Sequence, residues 1–277
     1  MKKLSFFFVL LWALLSTRCD TIDQPFKGNP NDTTAVNVQV RNVFIEDFTG
    51  HRCKNCPKAS KEIENLVDVF GNRIIALAIH AGPGNFTNTN ADYPTDFTTS
   101  EGKAIQNFFG TNFLPVGMIL RENWTPSGNT HWSNYANWPT LSAEAMDSTL
   151  RVALYATAKL NGSTLSLTAQ AVPQTNLQHD VKLVALVKES GIVSPQLMPD
   201  DTRDTNYIHN NVLRAFITNS AWGIPLASSP VLSGDTLAED FSFNWNNAWV
   251  KENSKVVVYV YHADNYRILQ AIEVPIQ

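Results

Sequence analysis

The chain has 277 residues, of which 44% are hydrophobic and 17% charged, with a formal net charge of −4 at pH 7. This length favours two domains over one, and the composition is that of a globular protein with sizeable cores. The acidic balance argues against nucleic acid or anionic lipid as the main partner, because both call for a basic footprint.

In chain order, Lys2 and Lys3 precede an apolar core over residues 4–15 that is too short to span a bilayer comfortably, the pattern of an export signal. Leu15-Ser16-Thr17-Arg18-Cys19 follows and resembles a bacterial lipoprotein lipobox. That resemblance implies a signal over 1–19 and a lipid anchor on the Cys19 thiol; an ordinary signal peptide with an incidental cysteine is the alternative. Residues 20–37 carry Pro25, Gly28, Pro30 and Asp32 and read as a tether. Residues 38–48 form a predicted strand through Val38, Val40, Val43 and Ile45. After Cys53-Lys54-Asn55-Cys56-Pro57 comes a predicted helix over 59–70, with Ile63, Leu66, Val67 and Phe70 on one face and Gly71 at its C-terminal end. The run 74–79 is apolar on both faces, as in a covered central strand, so residues 38–79 make a β-α-β unit with parallel strands.

Residues 81–100 read as a loop, 101–109 as a short helix, 113–120 as a strand and 140–149 as another helix. From about 151 the texture changes to strands at 152–159, 164–171, 181–188, 212–217, 237–243, 255–261 and 268–275, with a hairpin turn at Asn161-Gly162. The expected organisation is therefore an α/β domain over 38–150 followed by an all-β, immunoglobulin-like sandwich over 151–277.

The cysteine pair carries the chemistry. Two cysteines separated by two residues, where a strand passes into a helix, can close a small reversible disulfide. The thiolate is the reacting form, and a helix N-terminus flanked by Arg52 and Lys54, with His51 one residue further, favours negative sulfur. Cys53 is expected to be exposed and to attack, and Cys56 to lie one turn inside and resolve. Pro57 is tolerated in the first helical turn. Three readings stay open: a redox-active disulfide between Cys53 and Cys56, a static structural disulfide, or half a zinc site. The last lacks a second Cys-x-x-Cys and any His-x-x-x-His.

The run Asp47-Phe48-Thr49-Gly50-His51-Arg52-Cys53, with Leu114-Pro115 opening a later strand, resembles the thioredoxin family over about 38–150. The resemblance implies that Asp47 lies beneath the disulfide and moves protons to and from Cys56. It also implies that Pro115 is a cis-proline shaping the substrate groove. Alternation along the strand puts Asp47 and its neighbour Glu46 on opposite faces. A wider resemblance rests on Phe48-Thr49-Gly50 with the Cys-x-x-Cys-Pro run, on Asn210-Asn211-Val212-Leu213-Arg214-Ala215-Phe216 with Trp222-Gly223, and on the lipoprotein-like start. Over nearly the whole chain it is similar to the Omp28-related outer membrane proteins of Bacteroidetes-type bacteria. That implies an outer membrane lipoprotein of the cell envelope, pairing a thioredoxin-like domain with a C-terminal β-domain.

Other signals are weaker. Gly82-Pro83-Gly84 is a turn without a phosphate-loop lysine. Asp200-Asp201-Thr202-Arg203-Asp204 reads as a solvated loop rather than a calcium site. Trp124, Trp132 and Trp138 read as packing rather than a stacking platform. No cofactor or metal is expected. The functional expectation is a thiol–disulfide oxidoreductase acting on exported protein thiols and disulfides through Cys53, Cys56, Asp47 and Pro115. The alternative is an envelope adhesion or binding protein for an unknown surface ligand, with a structural disulfide.

Overall fold

A computed structural model describes residues 39–124 and 131–277. The export signal, Cys19 and the tether lie outside the described residues. β1 (Val43–Thr49) is buried along its whole length. It pairs in parallel with β2 (Ile74–His80) and antiparallel with β3 (Val116–Ile119), which in turn pairs with β4 (Trp132–Ser133). α1 (Cys56–Phe70) crosses between β1 and β2 with Ala59, Ile63 and Leu66 inward. Val67, expected on that face, is largely exposed, so the buried stripe is narrower than the sequence predicts. Gly71 closes the helix at φ 59°, donating its N–H to the Val67 carbonyl. α2 (Ser100–Phe109) is capped by the Thr99 hydroxyl, which accepts from Gly102 N. α3 (Trp138–Met146) buries Trp138 against β3, and only glycine fits at position 117, because a Cβ there would stand 2.4 Å from Trp138 Cζ2.

Beyond α3 the chain forms β5 (Val152–Asn161), β6 (Thr164–Pro173) and β7 (Val181–Glu189). The hairpin joining β5 and β6 turns at residues 162 and 163, with Gly162 at φ 61°, one position later than expected. A second, slender hairpin follows. β8 (Ile192–Val193) pairs with β11 (Ile208–His209), and β9 (Gln196–Leu197) with β10 (Arg203–Asp204). Then come β12 (Val212–Phe216), β13 (Ile224–Ala227), β14 (Leu237–Asn244), β15 (Ser254–His262) and β16 (Ile268–Pro275).

Among the described residues these strands build a nine-stranded mixed sheet in the order β16-β15-β7-β12-β2-β1-β3-β4, with β13 also on β7, and a three-stranded sheet β14-β6-β5. β7 and β15 are covered on both faces, which explains their nearly unbroken apolar runs. Val184, Leu186, Val257 and Tyr259 point into the core shared with β1 and α1. Leu183, Ala185, Val256 and Val258 point into the core shared with β5 and β6.

The fold is thus mostly β, with few helices and a mixed sheet. The expectation of an α/β layer followed by a separate β-sandwich needs revising, because one sheet runs through both parts. β12 lies parallel to β2, with Val212 level with Ala78 and Ala78 N donating to Asn211 O at 2.7 Å. Residues 39–277 form one compact unit, and position 150 falls inside it. Arg121 reinforces the join. Fully buried, it makes a two-pronged pair with Glu46 of β1 at 2.7 and 2.6 Å and donates to the Tyr259 hydroxyl of β15 at 3.1 Å. Its guanidinium also lies over the rings of Phe109, Trp222, Tyr259 and Tyr261. Burial lowers its pKa, but the Glu46 carboxylate together with Tyr259 and Tyr261 outweighs that and raises it, so the guanidinium stays charged.

Candidate functional site

Cys53 and Cys56 form a disulfide with their Cα atoms 5.4 Å apart. The turn that holds them is closed by Cys53 N donating to Gly50 O at 3.0 Å and Cys56 N to Cys53 O at 3.1 Å. The helix begins at Cys56, with Asn55 as its N-cap, so Cys53 sits in the turn ahead of the helix rather than on its first residue. The expectation that Cys53 is exposed is overturned, since Cys53 is 2% exposed and Cys56 1%. The reason is long-range cover, which the local motif does not report. Gln196 Nε2 donates to Cys53 O at 3.1 Å, and Leu197 N donates to His51 O at 2.8 Å.

The flanking cations are both engaged, by different segments. Lys54 Nζ pairs with Asp201 at 2.9 Å. Arg52 donates its backbone N–H to Phe86 O at 3.0 Å, and its guanidinium lies over the Tyr93 ring. The loop over 81–99 therefore packs onto the motif. Gly50 is needed there, because a Cβ would approach Phe86 O to 2.5 Å. Asp200 accepts from Thr202 N within the β9–β10 turn, and Asp204 from Asn206 N between β10 and β11.

Glu46 and Asp47 face opposite ways from β1, Glu46 toward Arg121 and Asp47 into a cavity of about 340 Å³. That cavity is walled by Asp47, Cys56, Ser60, His80, Tyr207 and His209, among others, and reaches as far as Lys188 and Glu273. Asp47 is 1% exposed, and neither of its oxygens has a protein hydrogen-bond partner. Burial pushes its pKa up to about 8. A polar cavity of this size gives a buried carboxyl a route for water and protons. Pro115 does not line it. The Leu114–Pro115 peptide is cis, and the register of β1 with β3 places Pro115 beside Thr49, one residue beyond the Phe48–Val116 pair.

Three histidines gather beside the motif. His51 stacks on Tyr93, and the rings of His80 and His209 both pack on Phe97, at 4.6 and 4.7 Å. Burial lowers the pKa of all three, that of His209 to about 4 and that of His80 well below the ordinary range, where His51 and His209 add to the effect. They are neutral near pH 7. The His80 ring lies 5.7 Å from that of His209 and 6.4 Å from that of His51, and among the described residues no cluster of three or more His, Cys, Asp or Glu could hold a metal. Gln196, His80 and His209 as neighbours of the pair were not legible in the sequence. The nearest signal was a histidine closing the apolar run of β2.

Residues 102–277 match the family described as outer membrane protein Omp28. The chain belongs to the Omp28 family. The Cys53–Cys56 pair precedes the stretch that matches the Omp28 family. No curated protein matches the sequence. The fold is similar to HBP35 of Porphyromonas gingivalis, with a TM-score of 0.63 and 15% identity over 86% of this chain and 76% of that one. It is also similar to a solved protein of Agrobacterium tumefaciens, with a TM-score of 0.50 and 12% identity over 86% of this chain and 95% of that one. A domain of the outer membrane lipoprotein Omp28 from Porphyromonas gingivalis gives a TM-score of 0.32 at 15% identity over 46% of this chain and 88% of that one. Membership of the Omp28 family supports a location in the cell envelope. Among the described residues no helix is long and apolar enough to cross a membrane.

Proposed function

We propose that this Omp28-family protein is a thiol–disulfide oxidoreductase of the cell envelope, acting on the thiols and disulfides of exported proteins. One observation carries the reading. A carboxyl group, Asp47, is buried without a partner in the same cavity as Cys56, with its pKa raised to about 8. A buried polar group left unpaired costs stability, and a static disulfide has no use for one. The β1-α1-β2 unit, with β3 antiparallel beside it and a cis proline at its mouth, supports a thioredoxin-like reading of this part of the fold.

In the reducing direction the Cys53 thiolate attacks a substrate disulfide, forms a mixed disulfide and releases one substrate thiolate. Asp47 takes the Cys56 proton through the cavity. Cys56 then attacks Cys53 Sγ, releases the second substrate thiolate and closes the Cys53–Cys56 bond. Pro115 borders the substrate groove. The reverse sequence oxidises a dithiol. Cys56→Ser, expressed in the envelope, should accumulate mixed disulfides through Cys53 that dithiothreitol dissolves. A folded variant that traps nothing counts against the reading. A lipid anchor on Cys19 belongs to the same proposal, and the intact mass of the mature protein should show a diacylglycerol adduct there.

The burial of both cysteines favours a second reading, an envelope binding or adhesion protein whose disulfide is structural. Under it, replacing both cysteines with serine would leave ligand binding unchanged.

A further inference from the structure

The segment between β7 and β12 does not contribute to either large sheet. It leaves the body at Ser190, runs out through β8 and β9, turns over residues 198–202, and returns through β10 and β11 to Asn211. Its two ladders are two residue pairs each, and the cross-strand pair Val193 and Ile208 is 60% and 55% exposed. Its inner side is held largely by polar contacts. Leu197 N and Gln196 Nε2 occupy the carbonyls of His51 and Cys53, and Ser194 Oγ donates to Thr95 Oγ1 at 2.8 Å. Lys54 pairs with Asp201, and Arg203 with Asp92. Exposed ion pairs of this kind hold weakly and lose strength with salt. Aromatic contacts add to these, with His209 packing on Phe97 and against His80. Both feet have left-handed backbone, Gly191 at φ 74° and Asn211 at φ 59°, and they are bridged by Gly191 N donating to Asn210 Oδ1 at 3.0 Å. Short ladders, an exposed apolar pair and polar attachment are marks of a segment that opens locally without global unfolding.

We propose that the hairpin over residues 190–211 is an autoinhibitory strap, which must lift off the His51–Cys53 turn before a thiolate from outside can reach Cys53. Its purpose rests on the redox reading above, while the covering is independent of it. Lifting frees the carbonyls of His51 and Cys53 and releases Lys54 from Asp201. This restores the exposed attacking cysteine and free flanking charge that the motif alone implies.

The test is the rate at which dithiothreitol reduces the native disulfide. One dithiothreitol thiolate attacks Cys53 Sγ, breaking the Cys53–Cys56 bond, and Cys56 leaves as a thiolate that takes up the proton. The second dithiothreitol thiol attacks the mixed disulfide. Dithiothreitol ends as a cyclic disulfide, and both cysteines end as thiols. Gln196→Ala combined with Arg203→Ala, in the full mature chain, should speed reduction at least tenfold. Raised salt should speed the parent protein, and speed the variant less, because only the Lys54–Asp201 pair then remains to be screened. Hydrogen exchange of the parent protein gives a second measure that needs no mutation. The Leu197 amide should exchange well before amides of β1 and β15. Unchanged reduction rates in a folded variant, or a Leu197 amide that exchanges only with the global core, would overturn the strap. If loosening speeds reduction while Cys56→Ser traps no partner, the strap stands and the oxidoreductase reading falls. If trapping succeeds while loosening changes nothing, the reverse holds.

Discussion

At the scale of single residues, Asp47 ties the stability of the fold to pH. Its pKa rises from 3.8 to about 8 because burial disfavours the charged form. Between those values the folded state holds a proton that the unfolded state has lost, so stability falls as pH rises. Each unit of difference corresponds to about 1.36 kcal/mol, so the carboxylate costs up to a few kcal/mol by pH 8. Asp47→Asn should therefore stabilise the oxidised protein at pH 8 and differ little from the parent near pH 4, as read from urea midpoints. The same variant should slow resolution by Cys56. The cysteine pair and Asp47 were legible in the sequence because their spacing is local, all within residues 47–56 of one strand, turn and helix start. The cover over Cys53 was not, because Gln196 reaches it from 143 residues away. Nor was the role of Arg121, whose partners Glu46 and Tyr259 are 75 and 138 residues distant.

At the scale of elements, α1 is held by a narrow stripe. Leu66, 2% exposed, packs into the core beneath the sheet. Leu66→Ala should cost about 2–5 kcal/mol in chemical denaturation, whereas Val69→Ala, at a position 72% exposed, should change stability by less than about 0.5 kcal/mol. Gly117→Ala should also destabilise, since the new methyl would meet both Trp138 and the Glu46 carbonyl. Elements with strong periodicity were legible: α1, β2, β7 and β15 lie within a residue or two of their expected bounds, apart from the start of α1, which comes three residues earlier than expected. The strands β8 to β11 are two residues each, too short for alternation to register, so the hairpin that covers the disulfide read only as a loop. β13 was missed for a related reason, being short and carrying Pro225.

For the whole molecule, the continuous sheet changes what the halves can do alone. β12 pairs with the exposed edge of β2, and Tyr259 and Tyr261 of β15 complete the core around Phe44 and Arg121. A fragment of residues 38–150 would leave the Glu46–Arg121 pair and that face of the sheet uncovered. It should show no cooperative unfolding transition by circular dichroism. In the full chain, Arg121→Met strands the Glu46 carboxylate in the core and should cost roughly 3–5 kcal/mol. The β-rich C-terminal texture was legible from strand spacing. The sharing of one sheet across position 150 was not, because pairing between β2 and β12 joins segments more than 130 residues apart and leaves no local pattern.

The reduction potential of the Cys53–Cys56 pair, measured by equilibration with defined glutathione buffers, tests the central claim most directly. A working exchange pair should lie above about −300 mV, within reach of partner disulfides. A potential well below that would mark the bond as a permanent staple and contradict the account.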